Sequence, residues 1–449
     1  MYKIIKTLSF LVLSMWALNS YGTPTFSLDK KLYGPNEAIV ASFNDGPGNP
    51  KDWIGIYSDS VENSNGCINR GSSAWLYVNG TRTSGEGITD GSLSFDNTKD
   101  YGALEWPLPP GDYIAYFLRN DGYCKLADAV TFKVRPPKPF SFTVVGDTQS
   151  SDGNSAINSD VLPYLIKGIN AQYPDLSIFV GDLVSGSYKI AETKAQWEIF
   201  DRETKKLYRK RYLVPGNHDF YDKEATYEAW ATMWPTLPRN GPVDSDGTRL
   251  EEGMTYYFDH EGVRFISILS DINDGIIQQA WLDNLLAESA HFEHIFVYTH
   301  HPVSFSKDRP PMGGTEGEFW QSLIKADVTG FFSGHWHRYQ PSQLGGGGGT
   351  WETIIGTGGG RSFDPMRAYQ QRFGFLLVEV NGAQVEATFY ANDDDDDVYD
   401  DPIDSYMMSS DDEPETGLVA HYSFTNDGFE WGDSFSAEAE VEDSGALSI

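Results

Sequence analysis

Five short polar segments contain the residues of this sequence that are best suited to bind a metal ion. They are GDTQ (146–149), GDLV (181–184), GNHD (216–219), VYTHH (297–301) and GHWH (334–337). Their carboxylate, amide and imidazole groups suit metals such as Mn, Fe or Zn. No cysteine contributes, which argues against a closed structural zinc site. Gly-Asp and Asn-His are also ordinary turn sequences, but turn formation alone does not account for five such segments.

Each polar segment follows an apolar run that predicts a buried strand. The runs FSFTVV, LSIFV, RYLV, HIFVY and VTGFFS alternate with helical patterns at about 156–171, 190–207 and 276–289. Alternating strands and helices predict a layered α/β fold. Ligand groups in such folds lie beyond the carboxyl ends of the strands. We therefore expect the five segments to meet at one edge.

The preceding part of the chain has a different pattern. Residues 23–135 contain short apolar runs separated by Gly, Pro, Asn and Asp turns, which predicts an all-β sandwich of immunoglobulin or fibronectin type. The proline-rich RPPKP (135–139) marks the boundary to the α/β domain, predicted at 136–391. Cys67 and Cys124 are the only cysteines, and we expect them to form a disulfide, with two free thiols as the alternative.

The first 22 residues have the pattern of a secretory signal peptide. Lys3 and Lys6 precede the apolar stretch LSFLVLSMWAL, and Ser20-Tyr21-Gly22 resembles a cleavage site. An uncleaved membrane anchor is the alternative. Export predicts a periplasmic or extracellular protein, where a disulfide persists, with no membrane attachment after cleavage.

The net charge of −32 restricts the partners, because 65 Asp and Glu oppose 33 Lys and Arg among 449 residues. This charge disfavours binding to nucleic acid polymers and anionic membranes. The acidic run NDDDDDVYDDPID predicts a disordered linker over 392–416; calcium binding is the alternative, but the run lacks an EF-hand pattern. Residues 417–449 begin with GLVAHYSF, which is similar to the first strand of a lectin or laminin-G domain, and we interpret them as a partial segment that could contact polysaccharide or a surface.

The five motifs together resemble those of the calcineurin-like metallophosphoesterases. The secreted branch around the purple acid phosphatases is most similar, since it also places a β-sandwich before the catalytic domain. The resemblance covers about residues 140–390. It implies a four-layer α/β sandwich, in which two mixed β-sheets are flanked by helices, and a centre that holds two metal ions (Fe, Mn or Zn).

The resemblance also implies the role of each ligand. The first metal would be held by Asp147, Gln149 and His337, the second by Asn217, His300 and His335, and Asp182 would bridge the two.

The implied reaction is hydrolysis of a phosphate ester by in-line attack of a metal-bound hydroxide. His218 would act as the general acid for the leaving group or stabilise the phosphoryl oxygens, and Asp219 would orient its ring. The expected contacts to substrate come from Asn217, His218, His301 and Arg338. A packed ring is the alternative for His301, and a solvated side chain is the alternative for Arg338.

The sequence departs from the family pattern at two positions. Gln149 replaces the usual first-motif histidine; its amide oxygen is a weaker donor, and a water in its place is the alternative. Ser185 replaces the tyrosine of purple acid phosphatases, so we expect no purple colour. Tyr188 and Tyr221 are expected near the rim, where they could stack on a base or aryl group or simply pack in the core.

These observations favour a secreted phosphoesterase that acts on small phosphate esters, with phosphomonoesters as the expected substrates. A cyclic-nucleotide or nucleotide phosphodiesterase would use the same site. A non-catalytic surface-binding protein with a degenerate phosphoesterase body is the third alternative, and Gln149 is the feature that favours it.

Overall fold

The computed structural model describes most of the two folded regions of the chain. The described residues are 22–58, 66–68, 71–101, 106–151, 153–221, 223–271, 275, 276, 278–304, 312–344, 349–361, 372–392, 399–409, 440, 441, 447 and 448. The chain divides into two compact units, residues 1–136 and 137–449. The predicted signal peptide, except Gly22, and nearly all of the predicted lectin-like segment lie outside the described residues.

The first unit is an all-β structure. Its strands are β1 (Thr25–Leu28), β2 (Leu32–Tyr33), β3 (Ile39–Asn44), β4 (Trp53–Tyr57), β5 (Ala74–Tyr77), β6 (Gly91–Phe95), β7 (Gly111–Leu118) and β8 (Val130–Val134). They form sheets of order β1-β3-β6 and β2-β8-β7-β4-β5. Alternate side chains of both sheets, such as Phe43, Ile54 and Phe117, share one buried core, as expected for half-buried strands.

A disulfide joins Cys67 to Cys124 in the first unit, across 57 residues of sequence. We expect reduction of this disulfide to lower the free energy of unfolding by about 4 kcal/mol, because the cross-link restricts the unfolded chain. Urea unfolding followed by tryptophan fluorescence, with and without reductant, measures the change. The double variant C67A/C124A is the control and should not respond to reductant. Identical unfolding of the oxidised and reduced wild type would contradict the prediction.

The second unit contains five helices among its described residues. They are α1 (Leu162–Ala171), α2 (Ile190–Thr204), α3 (Lys223–Met233), α4 (Gln279–Glu288) and α5 (Glu318–Lys325). The three helical patterns predicted from the sequence correspond to α1, α2 and α4, whereas α3 and α5 were not predicted. None of the described helices is long and apolar enough to cross a membrane.

Two six-stranded sheets form the centre of the second unit. The first has the order β11-β10-β9-β20-β21-β22 and the second the order β12-β13-β16-β17-β19-β18. Their strands are β9 (Phe140–Val145), β10 (Leu176–Val180), β11 (Lys210–Val214), β12 (Tyr256–His260), β13 (Val263–Ser267), β16 (Ile295–Tyr298), β17 (Gly330–Ser333), β18 (Tyr339–Gln343), β19 (Trp351–Ile355), β20 (Gly374–Asn381), β21 (Gln384–Ala391) and β22 (Asp401–Ser409). The remaining short pairs are β14 (Ser270–Asp271) with β15 (Gly275–Ile276), and β23 (Glu440–Val441) with β24 (Leu447–Ser448).

The two large sheets pack face to face through aromatic side chains. Phe142 of the first sheet lies 5.0 Å, ring centre to ring centre, from both Phe265 and Phe296 of the second. Buried residues of α4 and α5 join a separate core with β13, β16 and β17, while those of α1, α2 and α3 belong to the main core. Each sheet mixes parallel and antiparallel pairs. The predicted α/β sandwich of two mixed sheets is confirmed.

The prediction of a disordered linker over 392–416 is wrong for residues 401–409. These residues form β22, which pairs antiparallel with β21. Tyr406 packs 4.5 Å from the Trp351 ring, and Asp404 accepts a hydrogen bond from the Tyr339 hydroxyl at 2.9 Å. The acidic composition prevented the prediction of this strand, whose apolar side chains complete the edge of the sheet.

Candidate metal centre

Five of the predicted ligands lie directly beyond the carboxyl ends of five strands. Asp147 follows β9, Asp182 follows β10, Asn217 follows β11, His300 follows β16 and His335 follows β17. Strands β9, β10 and β11 are parallel, as are β13, β16 and β17, so the strand ends of each set meet at one edge. The fold therefore brings together ligands that are up to 188 residues apart in sequence.

Three of these ligands have left-handed backbone conformations. The φ angles are 58° at Asp147, 49° at Asp182 and 67° at His335. Such conformations cost of order 1–3 kcal/mol each for residues other than glycine and cluster at functional sites. The backbone is also crowded here, because a Cβ atom at Gly216 would collide with the backbone and carboxylate of Asp182. The turns are thus shaped to direct side chains at one place.

Hydrogen-bond acceptors converge at the second predicted metal site. His300 Nδ1 donates to the carbonyl oxygen of Val180 at 2.8 Å, which leaves Nε2 to face the site. That Nε2 lies 3.1 Å from Asn217 Oδ1 and 3.3 Å from Asp182 Oδ1. His335 Nδ1 is 2.9 Å from the same Asn217 oxygen. Imidazole nitrogens and amide and carboxylate oxygens at these separations could bind one cation between them.

The pKa values of His300, Asp182 and His335 also indicate that the second site favours a positive charge. Burial opposes the charge on His300, but the Asp182 carboxylate outweighs it and raises the pKa of His300 to about 9. Burial also opposes ionisation of Asp182, yet His300 holds the pKa of that carboxyl well below its usual range. Burial and the neighbouring His300 lower the pKa of His335 to about 4. A proton on His300 provides the positive charge that a metal ion would replace.

The first predicted metal site is formed by Asp147, Asp182 and His337, whose ligand atoms all lie within 4.8 Å of one another. His337 Nδ1 donates to the Arg361 carbonyl oxygen, and His337 Nε2 lies 3.3 Å from Asp147 Oδ1. Burial opposes the charge on His337, but Asp147 raises its pKa. Two carboxylates and an imidazole match the donors preferred by Mn, Fe or Zn.

Gln149 lies in the first site, but its amide oxygen does not face the other ligands. The amide nitrogen is 3.1 Å from Asp182 Oδ2 and 3.3 Å from His337 Nε2. The oxygen Oε1 is buried and has no hydrogen-bond partner among the described residues. Ligation by Gln149 would require its amide to turn over, which would bring the unpaired oxygen to the site.

His301 lies beside the second site, where one of its ring nitrogens is within 4.8 Å of ring nitrogens of His300 and His335. Its side chain is fully buried, and its Nδ1 lies 2.9 Å from the hydroxyl oxygen of Ser270. Its ring is 4.5 Å from that of His335, and its Nε2 has no hydrogen-bond partner among the described residues. Burial and the neighbouring histidines hold the pKa of His301 well below its usual value. His301 is a buried ring that belongs to the second group of candidate ligands, and its contact with substrate stays a prediction.

Arg338 is buried in the structure. The residue is only 3% exposed, and its guanidinium lies 5.8 Å from the Trp336 ring centre. Burial raises the pKa of the fully buried Glu352 carboxyl, and the charge of Arg338 is one of the influences that oppose this shift. Arg338 is therefore a buried residue near Glu352, and its contact with substrate stays a prediction.

The His218 ring is held by other residues than the predicted Asp219. His218 Nδ1 donates to the carbonyl oxygen of Ser185 at 2.9 Å, and the Tyr221 hydroxyl lies 3.0 Å from the same nitrogen. The backbone nitrogen of His218 donates to Asp182 Oδ1 at 2.8 Å. His218 is therefore positioned by a backbone carbonyl and Tyr221, and its Nε2 lies 3.9 Å from Asp182 Oδ2.

Asp219 is a buried structural carboxylate and does not orient the His218 ring. Its Oδ2 accepts hydrogen bonds from the backbone of Leu183 and Gly216, each at 3.0 Å. Its Oδ1 accepts from the Trp197 indole at 2.9 Å. Burial and the charge of Asp182 raise the pKa of Asp219 to about 6. Asp219 thus ties together the two turns that carry Asp182 and Asn217.

We expect the substitution Asp219→Asn to lower the free energy of unfolding by about 1–3 kcal/mol. An amide has a single acceptor oxygen, so it cannot satisfy the indole and the two backbone donors together. Urea unfolding of the second unit measures the change, with the exposed Asp160→Asn as a matched control. Equal stability of Asp219→Asn and the wild type would contradict this role.

Sequence reasoning missed two residues that support the site. Tyr221 was considered only as a rim or core aromatic, although its spacing three residues after His218 allows the contact seen here. Glu352, whose Oε1 accepts a hydrogen bond from the backbone of Val303 at 2.6 Å, gave no signal because it follows Trp351 in an ordinary strand. Ser185 donates its hydroxyl to the Ser155 carbonyl oxygen at 2.7 Å and does not replace the missing tyrosine.

Comparison with solved structures finds several proteins of similar fold. A purple acid phosphatase from yellow lupin (Lupinus luteus) is 14% identical, with 86% of this chain and 95% of that chain covered at a TM-score of 0.46. GAP50, an anchor in the inner membrane complex of Plasmodium, is 14% identical over 60% and 89% of the two chains, with a TM-score of 0.41. Vps29 complexed with zinc, from Entamoeba histolytica, is 13% identical over 60% and 99%, with a TM-score of 0.31. Similarity at this level carries no function to the present chain.

Comparison by sequence identifies the domain. No curated protein matches the chain significantly. The family model described as calcineurin-like phosphoesterase matches residues 140–339, which contain both groups of candidate metal ligands. Residues 140–339 therefore belong to the calcineurin-like phosphoesterase family.

Proposed function

We propose that this chain is an exported phosphoesterase that uses two metal ions to hydrolyse small phosphate esters, preferring monoesters. The position of Asp182 carries the proposal. Its Oδ1 lies 3.3 Å from His300 Nε2 in the second group of ligands. Its Oδ2 lies 3.1 Å from Gln149 Nε2 in the first. One carboxylate shared by two ligand groups is the arrangement of a two-metal site.

The residues of the proposed site have separate roles in metal binding and proton donation. Asp147, Asp182, Asn217, His300, His335 and His337 would hold the metals, which when bound supply a nucleophile from water and neutralise phosphoryl charge.

His218 supplies the proton that the leaving group needs. Its Nδ1 keeps its proton, which it donates in a hydrogen bond to the Ser185 carbonyl oxygen, so in the imidazolium form Nε2–H donates to the leaving oxygen as the bond to phosphorus breaks. The attacking water gives up one proton to solvent as its oxygen bonds to phosphorus, and His218 regains its proton before the next turnover. The side chain of His218 is 34% exposed, which gives it access to both substrate and solvent.

Three features support an exported protein that acts on small substrates. The N-terminal sequence has the signal-peptide pattern, and the Cys67–Cys124 disulfide suits an oxidising compartment. The net charge of −32 disfavours polyanionic substrates such as nucleic acids. Contact with polysaccharide or another surface through the regions outside 140–339 is part of the same proposal.

The proposal is tested by turnover of 4-nitrophenyl phosphate and bis(4-nitrophenyl) phosphate. The protein is first stripped of metal with a chelator and then supplied with Mn, Zn or Fe. We expect activity to return with metal and the monoester to react faster. Faster reaction of the diester would favour a phosphodiesterase, and no turnover with any of the metals would favour a non-catalytic binding protein.

A further inference from the structure

An exposed aromatic ring lies next to the proposed acid. Tyr188 has 82% of its surface exposed, and its ring centre is 4.8 Å from that of Tyr221. The Tyr221 ring is in turn 5.5 Å from the His218 ring. The rings of His218, Tyr221 and Tyr188 therefore form a series that begins beside the buried candidate ligands and ends at the surface. The alternative expectation, that Tyr188 packs in the core, is wrong.

The loop that carries Tyr188 is hydrogen-bonded to α2 through the two residues that precede Tyr188. Gly186 exchanges hydrogen bonds with the Gln196 side chain, at 2.8 and 3.3 Å. The backbone of Ser187 exchanges two hydrogen bonds with the Thr193 hydroxyl, each at 3.0 Å. All of these partners belong to the first two turns of α2. The backbone of Tyr188 is therefore fixed, although its side chain points into solvent.

The same loop is held close to His218. A Cβ atom at Gly186, where φ is 69°, would collide with the His218 carbonyl oxygen. A single exposed aromatic residue is common and needs no explanation. An exposed ring on a braced loop that touches the backbone of the proposed acid is different, because its position relative to that acid is set by the fold.

We propose that Tyr188 determines specificity by stacking on a planar aromatic leaving group, such as a phenol or the base of a nucleoside. This inference rests on the proposed function, in which His218 protonates the leaving oxygen. That contact places the leaving group beside His218, and the ring contacts from His218 lead to Tyr188. An aromatic leaving group offers a face on which the exposed ring can stack, whereas an aliphatic group does not.

A binding experiment tests the proposal without turnover. Calorimetry with metal-loaded protein compares phenylphosphonate and methylphosphonate, which share one anionic group. We expect Tyr188→Ala to weaken binding of phenylphosphonate about tenfold and to change that of methylphosphonate by no more than about twofold. Tyr188→Phe keeps the ring and should bind like the wild type. Tyr208, which is 70% exposed and lies at the opposite end of β11, provides the control Tyr208→Ala.

A kinetic experiment complements the calorimetric binding experiment. We expect Tyr188→Ala to lower kcat/KM for phenyl phosphate about tenfold relative to glycerol 2-phosphate. Equal losses for the aromatic and aliphatic ligands, or no loss for either, would overturn the inference. If the wild type hydrolyses neither ester but still binds phenylphosphonate through Tyr188, the proposed function fails while aromatic recognition stands.

Discussion

Asp182→Asn is expected to reduce kcat/KM for 4-nitrophenyl phosphate by more than about a hundredfold. Substitution of a residue that only hydrogen-bonds to a metal ligand costs about 10–100-fold, and the loss of a shared ligand should cost more. The two oxygens of Asp182 face different ligand groups, so one substitution removes a charged ligand from both sites. An amide is neutral and a weaker donor. We therefore expect the metal content of the purified protein to fall together with its activity.

Metal analysis, thermal unfolding and kinetics of the same preparation decide the outcome. The matched control is Asp160→Asn, which removes an exposed carboxylate of the same unit and should keep the activity and metal content of the wild type. Thermal unfolding shows whether Asp182→Asn folds. A folded Asp182→Asn protein with two metals and full activity would refute the shared-ligand arrangement.

His218→Asn should have the second largest effect, a loss of about 10²–10⁴ in kcat with the metal content unchanged. The backbone of His218, which binds Asp182 Oδ1, is not altered, and Asn217 remains in place. Because the missing function is proton donation, the loss should be larger for phenyl phosphate than for 4-nitrophenyl phosphate, whose leaving group needs less protonation.

The dependence on the leaving group distinguishes acid catalysis from substrate binding. A residue that only binds phosphate would lower the rates of both esters by the same factor. His291→Asn is the control, because His291 is exposed and lies outside both candidate metal groups. Equal losses for the two esters would assign His218 to phosphate binding, and an unchanged rate would remove it from the mechanism.

The strands and the candidate metal ligands could be predicted from the sequence for one physical reason. A strand buried on both faces is a short, nearly continuous apolar run, and its carboxyl end is marked by the next Gly and polar residue. Asp147, Asp182 and His335 are recognisable because each directly follows such a glycine. Helices α3 and α5 have weaker signals, since α3 is rich in polar residues and α5 has only eight.

The burial of side chains that adjoin the candidate ligands could not be predicted from the sequence. Asp219, His301 and Arg338 were assigned to catalysis or substrate because they adjoin ligands in sequence. Neighbours of a residue at the end of a strand point in different directions, and all three turn into the interior, where their partners come from elsewhere in the chain. Spacing along the chain does not show the direction in which a side chain points.

By itself the sequence determined the α/β class, the family motifs and the candidate metal ligands, because each depends on local patterns of apolar and polar residues. The tertiary structure decided that β22 completes a sheet in spite of its acidic surroundings. It also decided that Ser185 and Tyr221 position His218, and that Tyr188 is presented at the surface beside them. Each of these features depends on contacts between segments that are distant in the sequence. Such contacts form only when the chain packs, so the burial and hydrogen bonding of a side chain cannot be predicted from local patterns.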